Sequence, residues 1–147
     1  MIKRVKLKIE SAIDNLSPQG LPEGDPEVTI SECVGSLRMT DGRISLTYTE
    51  KNEGAEIHSQ IICLDGRVNV IRSGAIESDL CFVEGETHHS IYSIPPYKFD
   101  ASVRAKRVRV AITETGGNID LLYNMTVGGA EKAARMKIWI SQLLHQA

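Results

Sequence analysis

The chain has 147 residues, of which 41% are hydrophobic and 24% charged, and a net charge of −2, the profile of one ordinary globular domain. At this size folding buries about 68–70% of the unfolded chain's surface, so neither disulfide nor metal is needed as a staple. The near-neutral balance lacks the basic excess of a dedicated nucleic-acid binder, and no apolar run approaches the ~20 residues of a membrane helix.

The first segment, "RVKLKIESAI", alternates with period two. Val5, Leu7 and Ile9 fall on one side and Arg4, Lys6, Lys8 and Glu10 on the other, which predicts a half-buried strand. The charges also interrupt the apolar run that a signal peptide would require. "LSPQGLPEGDPE" holds three prolines and two glycines and reads as a long loop. Extended structure resumes in "VTISECVGSLRM", with Gly35 predicted as a bulge or bend. Asp41-Gly42 predicts a tight hairpin turn into "ISLTYTE", where Ile44, Leu46 and Tyr48 alternate with polar residues.

The same punctuation recurs. "KNEG" separates this strand from "AEIHSQIICL", and Asp65-Gly66 turns that into "RVNVIRSG". "AIESDLCFVEG" sets Ile76, Leu80 and Phe82 on one parity, and "ETHHSIYSI" stops at Pro95-Pro96. In "YKFDASVRAKRVRVAITE" the apolar parity changes between Val103 and Val108, predicting a bulge near Ala105. Gly116-Gly117 opens "IDLLYNMTV", and Gly128-Gly129 leads to "ARMKIWISQLL", a strand expected to end in a helical turn at Leu143-Leu144. Nine or ten hairpin-linked strands, each with one apolar face, close most simply as an up-and-down antiparallel barrel, which removes exposed edges. A β-sandwich is the alternative.

The segments "GRISLTYTE", "GRVNVIRSGAIESDLCFVEGE", "IYSIPPYKF" and "GNIDLLYNMTVGG", in that order, resemble the YwiB-like family of bacterial proteins of unknown function. The resemblance runs from "VKLKIES" to "MKIWI". It implies an all-β, antiparallel up-and-down, lipocalin-like (calycin) β-barrel of about 8–10 strands spanning residues 1–147, and it brings no catalytic or binding residue. True lipocalins carry a Gly-x-Trp signature in the first strand. Here the single tryptophan is Trp139, so lipocalin-type hydrophobic ligand transport is not implied.

The reactive-looking residues read as scattered. His88 and His89 are adjacent on a strand and point to opposite faces; the three cysteines, Cys33, Cys63 and Cys81, form no Cys-x-x-Cys pair. Neither a metal site, a catalytic residue nor a cofactor is therefore assigned. Three separated cysteines suit a reducing, cytoplasmic compartment. Glu84, Glu86 and His88 share one parity and read as a charged edge near a turn. The basic run Arg104, Lys106, Arg107 and Arg109 would make a positive stripe with Arg4, Lys6 and Lys8 if the first and eighth strands were neighbours, although a solvated outer face is the simpler reading.

Arg72 shares parity with Val68 and Val70; if that parity is inward its guanidinium needs a partner, an internal carboxylate or a ligand. The other reading has Ile71 facing in and Arg72 facing water. With Tyr92, Tyr123 and His88 facing the same lumen, an inward Arg72 would form a polar cluster in an apolar barrel, the usual make-up of a small-ligand pocket. The expected function is non-enzymatic binding of a small molecule in the lumen by these four residues, without nucleic-acid or membrane partners. The alternative is an interaction module or structural homodimer whose barrel is filled by its own side chains; an enzyme using lumen Arg, His or acid residues is a weaker third.

Overall fold

The computed structural model describes residues 2–143, the Asn52 side chain excepted. Ten strands follow one another: β1 (Ile2–Leu16), β2 (Pro22–Thr40), β3 (Arg43–Asn52), β4 (Ala55–Leu64), β5 (Arg67–Gly74), β6 (Ser78–Val83), β7 (Thr87–Ile94), β8 (Tyr97–Thr113), β9 (Gly116–Val127) and β10 (Ala130–Gln142). They form one antiparallel sheet in the order β6-β5-β4-β3-β2-β1-β10-β9-β8-β7. Every sequential pair but β6–β7 is a hydrogen-bonded hairpin, and the β1–β10 ladder joins the two halves from Val5↔Gln142 to Asn15↔Lys132. The result is an up-and-down, nearly closed barrel. The closing strands β6 and β7 meet through one bridge, Glu77↔Ser93, whose two backbone hydrogen bonds are both 2.8 Å long.

The predicted turns form where left-handed backbone is available. Asp41-Gly42, Glu53-Gly54, Asp65-Gly66 and Gly128-Gly129 all have positive φ at both residues, the requirement of the two-residue turn whose twist matches that of paired strands. Through the middle of the barrel the inward parity is apolar on every strand but β7, whose inward residues are His88, Ser90 and Tyr92. Leu7, Leu37, Leu46, Ile61, Phe82, Ile119, Leu121 and Ile138 are each less than 2% exposed, so the middle of the lumen is filled by the protein's own side chains, as expected for a barrel of this size.

Two local expectations are revised. The long loop shrinks to residues 17–21, because β1 and β2 stay paired as far as Leu16↔Pro22. Gly24, Asp25 and Pro26 are absorbed by a register shift opposite Asp14, and prolines are tolerated in a bulged edge strand, where a missing N–H breaks no ladder. Gly35 is not a bulge. It keeps register with Val5, and a Cβ there would sit 2.6 Å from the Thr47 carbonyl oxygen and 2.8 Å from Leu7 Cδ1. The predicted helical turn at Leu143-Leu144 falls partly outside the described residues, with β10 ending at Gln142.

The β8 bulge does fall after Ala105, between its pairing with Tyr123 and that of Arg107 with Leu122. Bulges leave backbone groups unpaired, and here Glu84 Oε1 accepts a hydrogen bond from the Val108 N–H at 3.2 Å. The positive stripe does not assemble as adjacent strands, since β10 and β9 stand between β1 and β8. On that intervening outer face Trp139 lies beneath Lys8 and Lys137, 5.4 and 5.7 Å from the ring centroid. Asp120 accepts from Arg107 at 3.1 Å and from Arg135 at 3.5 Å, tying β8, β9 and β10 together.

Gly35 supplies a direct test of the packing. Its backbone is extended, so Gly35→Ala is opposed by contact and not by φ. Inserting one methyl into a filled site costs about 1–3 kcal/mol, read as a lower urea midpoint with an unchanged denaturant slope.

Candidate functional site

At one end of the barrel the inward parity turns polar. The ladders place Tyr48 opposite Ser59, Ser59 opposite Arg72, and Arg72 opposite Ser78. Ser78 follows Glu77, whose bridge to Ser93 brings Tyr92 alongside. From β9, Tyr123 reaches into the same region, with its ring edge-on to Phe82 at a centroid distance of 4.8 Å. Each residue is there because the pleat sends alternate side chains inward: Arg72 continues Val68 and Val70, Tyr48 continues Leu46, and Ser59 precedes Ile61.

The electrostatics confirm that these groups share one space. Burial raises the Tyr123 hydroxyl above the usual phenol pKa, while the Arg72 charge lowers it and Tyr92 raises it. Tyr48 is likewise raised, first by burial, with Arg72 again opposing and Glu50 adding to the rise. Arg72 therefore acts on tyrosines from two separate strands. Arg72 itself is half-buried, and among the described residues no side-chain hydrogen bond or ion pair engages it. The Ser78 and Ser90 hydroxyls are buried without partners, and those of Tyr48 and Ser59, neighbours across the β3–β4 ladder, have each other within weak reach and form no well-shaped hydrogen bond. Buried polar groups are nearly always satisfied, by protein, ordered water or ligand, so this end presents a cation and several open hydroxyls to whatever enters it.

Of the four residues anticipated from the sequence, Arg72, Tyr92 and Tyr123 converge in this way. His88 lies on the inward face of β7 with Ser90 and Tyr92, but its Nε2 is engaged by Glu86 Oε1 at 3.1 Å. The reading passed over Tyr48, Ser59 and Ser78. Their signal was a hydroxyl on the buried parity of otherwise apolar strands, visible in "ISLTYTE" and "IHSQIICL". The cysteines stay apart: Cys63 is buried, with its thiol pushed up to about 11, whereas Cys33 and Cys81 are half-buried and raised by burial first. Among the described residues no three His, Cys, Asp or Glu side chains gather as metal ligands.

The wall also has a fork. β2 pairs with β3 only from Ser36↔Thr47 to Thr40↔Arg43. Beyond it Pro22–Gly35 is bound by β1 alone and Tyr48–Asn52 by β4 alone. A cavity of about 530 Å³ fills the fork, lined by consecutive residues 29–33 and 49–51. A second, of about 510 Å³, lies over the vertex on the outer face and includes Ser36, Thr47, His58, Gln60 and Ser73.

With this geometry in hand, comparison with known proteins decides the lineage. The family model described as "Domain of unknown function (DUF1934)" matches residues 17–140. The chain belongs to this family. It is similar to the uncharacterized β-barrel protein YwiB of Bacillus subtilis (strain 168), with 23% identity over 128 residues that cover 87% of this chain and 85% of the relative. The crystal structure of the ywiB protein from Bacillus subtilis superposes with a TM-score of 0.84 at 22% identity, covering 97% of this chain and 94% of that one. At that identity the likeness concerns the fold.

Two measurements probe the site. Because the guanidinium favours the phenolate, Arg72→Leu raises the ionisation midpoints of Tyr48 and Tyr123 in an ultraviolet pH titration; unchanged midpoints would remove Arg72 from their company. Both tyrosines have folded pKa values above the unfolded value of about 10, so their contribution to stability is full below that pH and is lost as pH rises through the folded values. Among the thiols, a pKa of about 11 leaves roughly a thousandth of Cys63 ionised at pH 8, so mass-spectrometric alkylation labels Cys33 and Cys81 first.

Proposed function

We propose that the chain is a non-enzymatic, small-molecule-binding barrel, with its ligand held at the Arg72 end of the lumen. The observation that carries this reading is a half-buried, inward-facing guanidinium without a carboxylate partner among the described residues, set among buried hydroxyls that also lack partners. An unpaired charge out of bulk water is costly. A ligand carboxylate or other anionic group would offset that cost through charge-assisted hydrogen bonds to Arg72, while the hydroxyls of Ser59, Ser78, Tyr48 and Tyr92 would orient its polar atoms. Tyr123 and Phe82 would supply the apolar floor.

Binding suits this site better than catalysis. The groups converging on Arg72 are phenols and serine hydroxyls, and burial holds Tyr48 and Tyr123 further from ionisation than a free phenol, so neither phenol serves as a general base near neutral pH. His88, the one imidazole on this face, is occupied by Glu86. The three free cysteines suit a reducing cytoplasm.

The test is thermal denaturation against a library of small organic anions. A ligand at 100 times its dissociation constant adds about 2.7 kcal/mol, a rise of roughly 5–10 °C for a chain of this size. Arg72→Leu abolishes the rise. A library without hits, together with native mass spectra of the purified protein that show no bound small molecule, would overturn the reading.

A further inference from the structure

The fork between β2 and β3 is a gap in the wall with a free strand edge on each side. Among the described residues no strand pairs with β2 over Pro22–Gly35 on the side away from β1, nor with β3 over Tyr48–Asn52 on the side away from β4. Paired strands lie ~4.8 Å apart. Here a serine and a glutamate side chain are needed end to end to cross, Ser31 Oγ donating to Glu50 Oε2 at 2.9 Å. The cavity between the edges is lined by both parities of each strand, as follows when a slot is bounded by two backbones and not by one face of a sheet. The β6–β7 seam differs, because it is stapled at both ends, by the Glu77↔Ser93 bridge and by Gly85 and Glu86 bonding to Ala105. The β2–β3 fork is tied at one end only.

The two edges differ in their protection. Pro22, the left-handed Gly24 and Pro26 guard the start of β2, the usual devices against strand pairing. From Val28 to Val34 there is no proline and no left-handed residue. On the outer face of that stretch Val28, Ile30 and Val34 are 56%, 58% and 42% exposed. On the inner parity acids flank the stretch, Glu27 just before it on β2 and Glu50 across the slot on β3, while Glu32 stands on its outer face. No lysine or arginine occurs between Lys8 and Arg38.

We propose that this fork binds an extended segment of another protein by strand addition, and that the segment alternates apolar and basic residues. Its backbone would pair with Val28–Val34 on one side and Tyr48–Lys51 on the other. Its apolar side chains would cover Val28, Ile30 and Val34, and its basic side chains would meet Glu27 and Glu50. A second copy of this chain is a poor occupant. Its own segments of that pattern, in β1 and β8, are already paired on both sides.

The experiment is hydrogen–deuterium exchange of the full chain with a blocked seven-residue peptide of alternating valine and lysine, and with its valine–glutamate counterpart. The lysine peptide slows exchange in 28–35 and 48–52 and leaves β8 and β9 unchanged; the glutamate peptide has no effect. Glu27→Gln, at an exposed site, with Glu50→Gln, at a half-buried one whose amide oxygen can still accept from Ser31, weakens the lysine peptide by about tenfold. Protection by neither peptide, or by both equally, would overturn the proposal. So would concentration-dependent protection of 28–35 without peptide, accompanied by a dimer in light scattering, because the edge would then belong to a second copy.

Discussion

The pairing of the first strand with the last holds this molecule together. Without the β1–β10 ladder the chain would be two meanders, β1–β6 and β7–β10, each with one apolar face open to water. Joining Val5 to Gln142 and Asn15 to Lys132 turns those faces toward each other and buries Leu7 and Ile9 against Ile138 and Ile140. The contact closes nearly the whole chain, so its entropic cost is large, and only the shared interior offsets it. Parity then acquires meaning: one side of every strand becomes core and the other becomes surface.

The barrel is completed unevenly, and the functional features lie where completion fails. In the middle, aliphatic side chains fill the lumen. At one end the same inward parity carries Tyr48, Ser59, Arg72 and Ser78, and the wall beside them splits where β2 and β3 part. Gly35 marks the vertex: its missing Cβ lets β2 lie against Thr47 and Leu7, after which the two strands part. The two free edges arise because β2 there follows β1 alone and β3 follows β4 alone.

The outer surface shows how like charges are managed on a barrel. The basic residues of β8 and β10 would repel across β9, yet Asp120 sits between Arg107 and Arg135, and Trp139 lies under two lysines. These contacts engage two residues of what reads in sequence as a positive stripe, Arg107 and Lys8.

What the sequence determined by itself was local. Period-two alternation named the strands, and Asp-Gly and Gly-Gly pairs named the turns, because each is a matter of a few adjacent residues and their backbone sterics. The β8 bulge followed from the same parity, which left open whether Arg72 or Ile71 faces in. Prolines misled the reading at residues 16–27, since their cost depends on whether a neighbouring strand needs the missing N–H, and β2 there has only one neighbour. Tertiary structure alone decided that β10 and β9 separate β1 from β8, that Tyr48 joins Arg72 while His88 turns to Glu86, and that β2 leaves β3 at Gly35. Those outcomes depend on strand order, stagger and relative length, which are set by contacts between residues far apart in the chain and leave no periodic trace in it.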